Sequence, residues 1–258
     1  MDNTATSFVQ IKVGKKEYME RLFHQGEIYL NSTLYFMEHT DPRIGDIFEG
    51  TEIVENGKIL KYRNELDKEK LFCMWHIDSK NPINDKYVHN LINNPDGTTD
   101  VELDLRSMQS MHGDDSTIIL IYNVQEFNKR FENACKKANV DFIEKRIVHY
   151  YDEYSKTRVN KITPFMKRSG YNDQQEVRYL VKTNSSRPLV LYLGDLSDIS
   201  KMIDSNIYKI VVNGTLAKQQ DEKQCTCDCS DCSEQSQELP PVAPIINDDY
   251  IEQFNDWD

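Results

Sequence analysis

Residues 8–36 read FVQIKVGKKEYMERLFHQGEIYLNSTLYF, and the order of elements in this stretch decides the fold. Residues 8–13 alternate in the manner of a strand, which Gly14 closes. Lys15–His24 follows as a short helix, because Tyr18, Met19, Leu22 and Phe23 form one apolar face and Gly26 stands where a C-cap would. The run EIYLNSTLYF is rich in β-branched and aromatic residues and predicts two short strands, with Asn31–Ser32 as the break between them.

Further along, HTDPRIGDIFEG has the Pro, Gly and Asp content of a loop, and LFCMWHI (71–77) is a buried-type run. Residues 79–115 are polar and turn-rich, which predicts an insertion or lid. TIILIYNV (117–124) is the most apolar strand candidate. The helix after it places Phe127, Phe131, Ala134, Cys135 and Ala138 on one face. IVHYYDEY, VRYLVKT, PLVLYLG and IYKIVV read as strands, the last two separated by a helix at LSDISKMI. The class is α+β, with a strand-rich C-terminal half. Residues 1–217 form the expected folded domain. Residues 218–258 lack periodicity, are rich in Gln, Ser, Pro and acids, and read as a disordered acidic tail.

Charge divides along the same boundary. Of the net charge of −12, the tail carries −9, which leaves about −3 for the folded part. Lys129–Arg168 reverses the sign, with eleven Lys or Arg against five Asp or Glu. Two readings stand for that segment: a polyanion site, for RNA or DNA, that the acidic tail shields in cis, or two solvated surfaces of opposite sign. The tail end IINDDYIEQFNDW spaces apolar anchors among acids. It suits docking on a basic groove of a partner, such as an antitoxin or chaperone, or is a free end with chance hydrophobics. No run is long and apolar enough to span a bilayer and the first residues are not a secretory signal, so the expectation is a cytoplasmic protein.

Cys73 and Cys135 sit in apolar surroundings as core residues, whereas Cys225, Cys227, Cys229 and Cys232 crowd into CTCDCSDC. Four ligands within eight residues would strain one tetrahedral site, so an oxidisable tail is the simpler account and no metal is assigned.

The chemistry concentrates in residues 169–181, SGYNDQQEVRYLV, where a polar turn enters a strand at Glu176. Gln174 stands two places earlier, on the same face of an extended chain, and Tyr171 five places earlier. Glu176 is either a catalytic carboxylate or a solvent-facing strand residue paired with Arg178. An aromatic, a Gln-x-Glu and a following strand resemble the substrate-recognition turn of ADP-ribosyltransferases, closest to that of the Rho-modifying bacterial exoenzymes. The strand–helix–strand of residues 8–36 is similar to the opening of DarT-type enzymes and related prophage and defence toxins. Tyr35-Phe36, Asp41-Pro42-Arg43 to Gly45, Glu49-Gly50, and Tyr171 with Gln174, Glu176 and Arg178 also resemble the motifs of a bacterial and prophage family. The likeness covers roughly residues 8–212.

That resemblance implies a split, mostly antiparallel β-sheet core and NAD as the co-substrate. Glu176 would stabilise the oxocarbenium-like ribose, Gln174 would orient the acceptor, and Tyr171 would contact it. Lys12, Ser32, Tyr35 and Arg43 are the candidates for holding NAD. Arg43 would meet the pyrophosphate or else bond Asp41 or Asp46; Tyr35 would line the nicotinamide pocket or else pack in the core. The sequence departs from the pattern where Gln10 and Lys12 stand for a first-strand Arg or His, and where Asn31-Ser32-Thr33 replaces Ser-Thr-Ser. The implied activity is ADP-ribosyl transfer to RNA or DNA, or secondarily to a protein side chain, in a toxin or phage-defence setting. An inactive binding module and an NAD glycohydrolase are the alternatives.

Overall fold

The computed structural model describes residues 7–42, 44–78, 86–95, 98–106, 108, 116–204, 207–213, 245–246 and 252–253. They form an α+β structure built mostly from antiparallel strands with few helices. β1 (Ser7–Lys15), α1 (Lys16–Gln25) and β2 (Glu27–Ser32) open it in the expected order. Helix α1 buries Met19 and Leu22 and ends at Gly26, whose φ is 62°. A Cβ there would lie 2.3 Å from the Gly194 carbonyl oxygen, so both the dihedral and the close approach require glycine.

The expected second strand after Ser32 is instead a helix, α2 (Thr33–Glu38). Ser32 keeps extended backbone and its Oγ accepts the Tyr35 N–H at 3.1 Å, the arrangement of an N-cap. One cap thus outweighs the strand preference of the aromatic pair that follows.

The chain continues through the hairpin β3 (Thr51–Glu55) and β4 (Lys58–Tyr62), then β5 (Glu69–Asp78). β6 (Val88–Asn93) and β7 (Thr99–Asp104) precede β8 (Ser116–Ile121) and α3 (Val124–Lys137). β9 (Asp141–Ile147) and β10 (His149–Tyr151) divide the expected single strand at Val148. After β11 (Val159–Asn160) and β12 (Met166–Arg168), a 3₁₀ turn over Ser169–Gln174 leads into β13 (Glu176–Lys182). β14 (Leu189–Tyr192), β15 (Ser200–Ile203) and β16 (Ile207–Asn213) complete the folded part.

Two further expectations need correction. The LSDISKMI segment is not a helix: Ser200–Ile203 pairs antiparallel with β8, where Ile203 is buried. Residues 79–115 contain the β6–β7 hairpin, which adds to β16 and buries Val101, Leu103, Leu105 and Met108. The alternation of Val101, Leu103 and Leu105 makes it a wall of the core rather than a lid. Of the 218–258 tail, Ile245–Ile246 and Glu252–Gln253 are described, as short strands along β16. Cys225, Cys227, Cys229 and Cys232 lie outside the described residues.

The main sheet has the order β14-β2-β5-β1-β8-β15, and β13 pairs β5 along Glu69–Trp75 with β9 beyond it. Since β13 occupies one edge of β5, both β2 and β1 lie on the other. β2 pairs only Leu71 and Lys70 of β5, and β1 pairs β5 only as far as Ile11↔Trp75. From Lys12 onward β1 pairs β8 alone. The sheet therefore splits beside Phe72–Met74.

Alternation along each strand supplies two cores. On one face, Phe72, Met74, Ile119, Ile121, Val177, Tyr179 and Val181 pack on α1 and α3. On the other, Val9, Ile11, Val13, Ile118 and Leu120 pack on the β6–β7–β16 sheet. Among the described residues no helix is long and apolar enough to cross a membrane.

Candidate active site

A cleft of about 130 Å³ opens at the split. Its described lining comes from β1 (Lys12, Val13), α2 (Phe36), the 41–50 loop (Ile44, Glu49), β5 (Cys73, Met74, Trp75), β12 (Lys167), the 3₁₀ turn (Gln174) and β13 (Glu176, Arg178). At this size it is smaller than the ~300–1,000 Å³ of a whole small-ligand pocket.

Glu176 begins β13 and is 6% exposed. Arg178 Nε donates to its Oε1 at 2.8 Å and Nη2 to its Oε2 at 3.2 Å. Lys167 Nζ donates to Oε2 at 3.3 Å. The backbone is held as well, since the Glu176 N–H donates to the Tyr150 hydroxyl at 3.0 Å and its carbonyl accepts the Val148 N–H at 2.8 Å. Arg178 turns its remaining donors to Glu49, with Nη1 to Oε2 at 2.8 Å, and to the Pro164 carbonyl at 2.6 Å. Glu49 and Glu176 thus share one guanidinium, and Lys167 lies 3.8 Å from Glu49.

Burial pushes the Glu176 carboxyl upward, but the charges of Arg178 and then Lys167, with hydrogen bonds from Arg178 and Cys73, outweigh it and hold the group well below its ordinary value. Glu176 is ionised at neutral pH. Burial pulls the Lys12 ammonium below its ordinary value, while Cys73 and Glu176 oppose that pull. The Cys73 thiol is pushed up by burial and by the charge of Glu176, so it remains a thiol and is no nucleophile. The two carboxylates balance the charges of Lys167 and Arg178, while burial disfavours the charged form of Lys12, the other basic group of the lining.

Lys12 Nζ reaches across the split to the Cys73 carbonyl at 2.7 Å. It replaces the ladder hydrogen bond that β1 and β5 no longer make there.

Gln174 and Glu176 do line the same cleft, though not by strand alternation. Gln174 ends the 3₁₀ turn, and Gln175 adopts φ 39°, ψ 55°, a left-handed conformation that costs a non-glycine residue about 1–3 kcal/mol. The Gln175 carbonyl accepts the His76 N–H at 3.0 Å, which ties that conformation to β5. Tyr171 donates its hydroxyl to the Gly45 carbonyl at 2.8 Å, fastening the 3₁₀ turn to the 41–50 loop. Its ring lies 4.5 Å from Lys167 Nζ and 5.3 Å from the Arg168 guanidinium.

The remaining candidates part company. Ser32 caps α2, and Tyr35 is 40% exposed with its ring edge-on to Phe36 and His39; neither belongs to the described lining. Arg43 lies outside the described residues. Glu49 and Arg178 entered the sequence reading only as motif residues, Arg178 also as the alternative partner of Glu176, a pairing the structure contains, and Lys167 was not singled out. Their signal was weak: an acid before a Gly, a Lys in a basic run, and an Arg at i+2 from Glu176.

The Lys129–Arg168 segment does not present one basic face. Arg130 bonds Asp198 at 2.9 Å, Arg158 bonds Glu55 at 3.3 Å and Arg168 bonds Asp46 at 2.7 Å. Lys136 and Lys137 are exposed at the end of α3, on the helical side, whereas Lys167 lies in the cleft. Among the described residues no group of three or more His, Cys, Asp or Glu is placed to hold a metal ion.

No family model, characterised protein or solved structure matches this chain.

Proposed function

We propose that this chain is an NAD-dependent ADP-ribosyltransferase with Glu176 as its catalytic carboxylate. One observation carries the proposal: Glu176 opens β13 in a cleft at the point where β1 leaves β5, and Gln174 lines the same cleft. An ionised carboxylate beside the ribose accepts a hydrogen bond from the 2′-OH. It also favours the positive charge that develops as the bond from C1′ to the nicotinamide nitrogen breaks. Nicotinamide leaves with the bonding pair, and the acceptor bonds C1′ and gives up its proton.

The donor set suits such a substrate. In this reading the cleft would take the nicotinamide end of the dinucleotide, and Lys12, on the β1 side of the split, would be the donor on the side of its phosphates. Gln174 orients the acceptor and Tyr171 contacts it. The acceptor class remains RNA or DNA by resemblance to the DarT-type toxins, with a protein side chain as the second choice. The scattered cations of Lys129–Arg168 add no support for nucleic acid.

A specific observation favours a second reading. Both oxygens of Glu176 already accept hydrogen bonds from Arg178 or Lys167, as they would in an inactive binding module. Arg178 and Lys167 make three hydrogen bonds to Glu176 and the Cys73 thiol a fourth, so a ribose 2′-OH would have to displace one of them, the 3.3 Å contact of Lys167 being the longest from the two cations. One experiment separates these readings. The protein is incubated with labelled NAD and cell RNA, DNA and lysate protein, beside Glu176→Gln. Label on a macromolecule that disappears in the variant supports transfer. Free ADP-ribose alone indicates hydrolysis, and no turnover by the wild type defeats the enzyme reading.

A further inference from the structure

We infer that Lys167 is a positioning residue that couples acceptor recognition to the carboxylate chemistry. This inference rests on the proposed transferase activity. Lys167 is 5% exposed on β12, immediately before the 3₁₀ turn, and one ammonium meets every residue to which the proposal gives a role at the acceptor side. Its Nζ donates to Gln174 Oε1 at 2.7 Å and to Glu176 Oε2 at 3.3 Å, and lies 4.5 Å from the centre of the Tyr171 ring.

These contacts differ in kind. The shorter bond turns the carbonyl end of the Gln174 amide toward Lys167, which fixes which way round the amide stands in the cleft. The longer bond supplies charge to a carboxylate that Arg178 already anchors through its guanidinium. The ring contact braces a turn that the Tyr171 hydroxyl also ties to Gly45 and that Tyr87 and Lys86 hold at Asp173. Arg178 therefore holds Glu176, while Lys167 holds Gln174 and Tyr171 relative to it. Removing the ammonium leaves Glu176 paired and ionised but takes away the donor that sets the carbonyl end of the Gln174 amide and the cation against the Tyr171 ring.

The consequence is a change in partition. With an acceptor present, the wild type delivers ADP-ribose to it; without a fixed Gln174 amide, water competes. With labelled NAD and total cell RNA, DNA and lysate protein as the acceptor pool, Lys167→Met is expected to lower macromolecular labelling at least about 10-fold relative to nicotinamide release. Lys167→Gln, which removes the charge but keeps a donor for Gln174, supplies the same comparison if the methionine variant does not fold, and is expected to retain more transfer. Gln174→Ala and the Lys167→Met, Gln174→Ala double variant complete a cycle. Because Lys167 acts through Gln174, the two effects on the transfer-to-release ratio should be non-additive. An unchanged ratio, with release and labelling falling together, overturns the inference, as does additivity of the two changes. Either result leaves the transferase proposal standing, whereas absence of nicotinamide release from the wild type removes both.

Discussion

The two faces of β13 are made of opposite chemistry. Val177, Tyr179 and Val181 point to the helices, and the Tyr179 ring packs against Phe72, Phe127, Phe131 and Phe142. Glu176 and Arg178 point the other way, with the apolar Leu180 beyond them, into a buried charge cluster. Burying each large side chain of the first face stabilises the fold by roughly 1.5–3 kcal/mol. The second face carries the desolvation cost of four charged groups, which their mutual attraction only partly offsets. The apolar face explains why β13 is stable in the sheet. The charged face adds little to that stability and places an ionised carboxylate at the split.

Breaking the cluster from its centre should have the largest effect. Arg178→Met leaves Glu176 and Glu49 buried without their shared guanidinium, and is expected to cost about 3–5 kcal/mol in urea denaturation at unchanged m. A loss below 1 kcal/mol would mean that the carboxylates rehydrate and the cluster is not rigidly buried. Next, Glu176→Gln keeps the shape but removes the charge. Nicotinamide release should fall about 10²–10³-fold, the scale of losing one preorganised electrostatic contact, while retained activity would place the chemistry elsewhere.

Across the strand, Tyr179→Phe removes a hydroxyl that bonds Gln10 Oε1 at 2.8 Å and lies 2.6 Å from Asn128 Oδ1. The expected cost is about 1–3 kcal/mol of stability with turnover unchanged; loss of turnover in a folded variant would show that the faces are coupled. Ser32→Ala is the smallest change. It should cost about 1 kcal/mol through α2 and leave NAD affinity as it was, measured by calorimetry. Weakened NAD binding would return Ser32 to the site.

The charged face also sets a pH dependence. Glu176 has a folded pKa below its ordinary value of 4.5, so its contribution is fully present above that value. It is lost only as pH falls through the lowered folded value. Stability should therefore show no Glu176-dependent change between about pH 7 and pH 5, and an acid-side decline that Glu176→Gln reduces. A Glu176-dependent loss already at pH 6 would contradict the assigned direction.

The legible features were those with a local cause. Met19 and Leu22 at helical spacing with Gly26 after them mark α1, and the run from Thr117 to Ile121 marks a buried strand. Glu176 and Gln174 stood out in the sequence through the Gln-x-Glu pattern and Lys12 through the family resemblance alone, and all three line the cleft. The misread elements had competing local signals. Tyr35 and Phe36 suggest a strand until Ser32 caps a helix, and Ser200–Ile203 is drawn into a strand by β8.

By itself, then, the sequence determined the strand–helix–strand opening, the α+β class, and the carboxylate at the entry to β13. Only the tertiary structure decided that the sheet splits after Ile11 and that Glu49, 129 residues away in the chain, shares Arg178 with Glu176. It also turned Gln174 toward Lys167. Strand and helix preferences act within a few residues, so sequence spacing records them. Charge pairing and a strand's departure from its neighbour depend on distances between segments remote in the chain, and those distances exist only once the chain has folded.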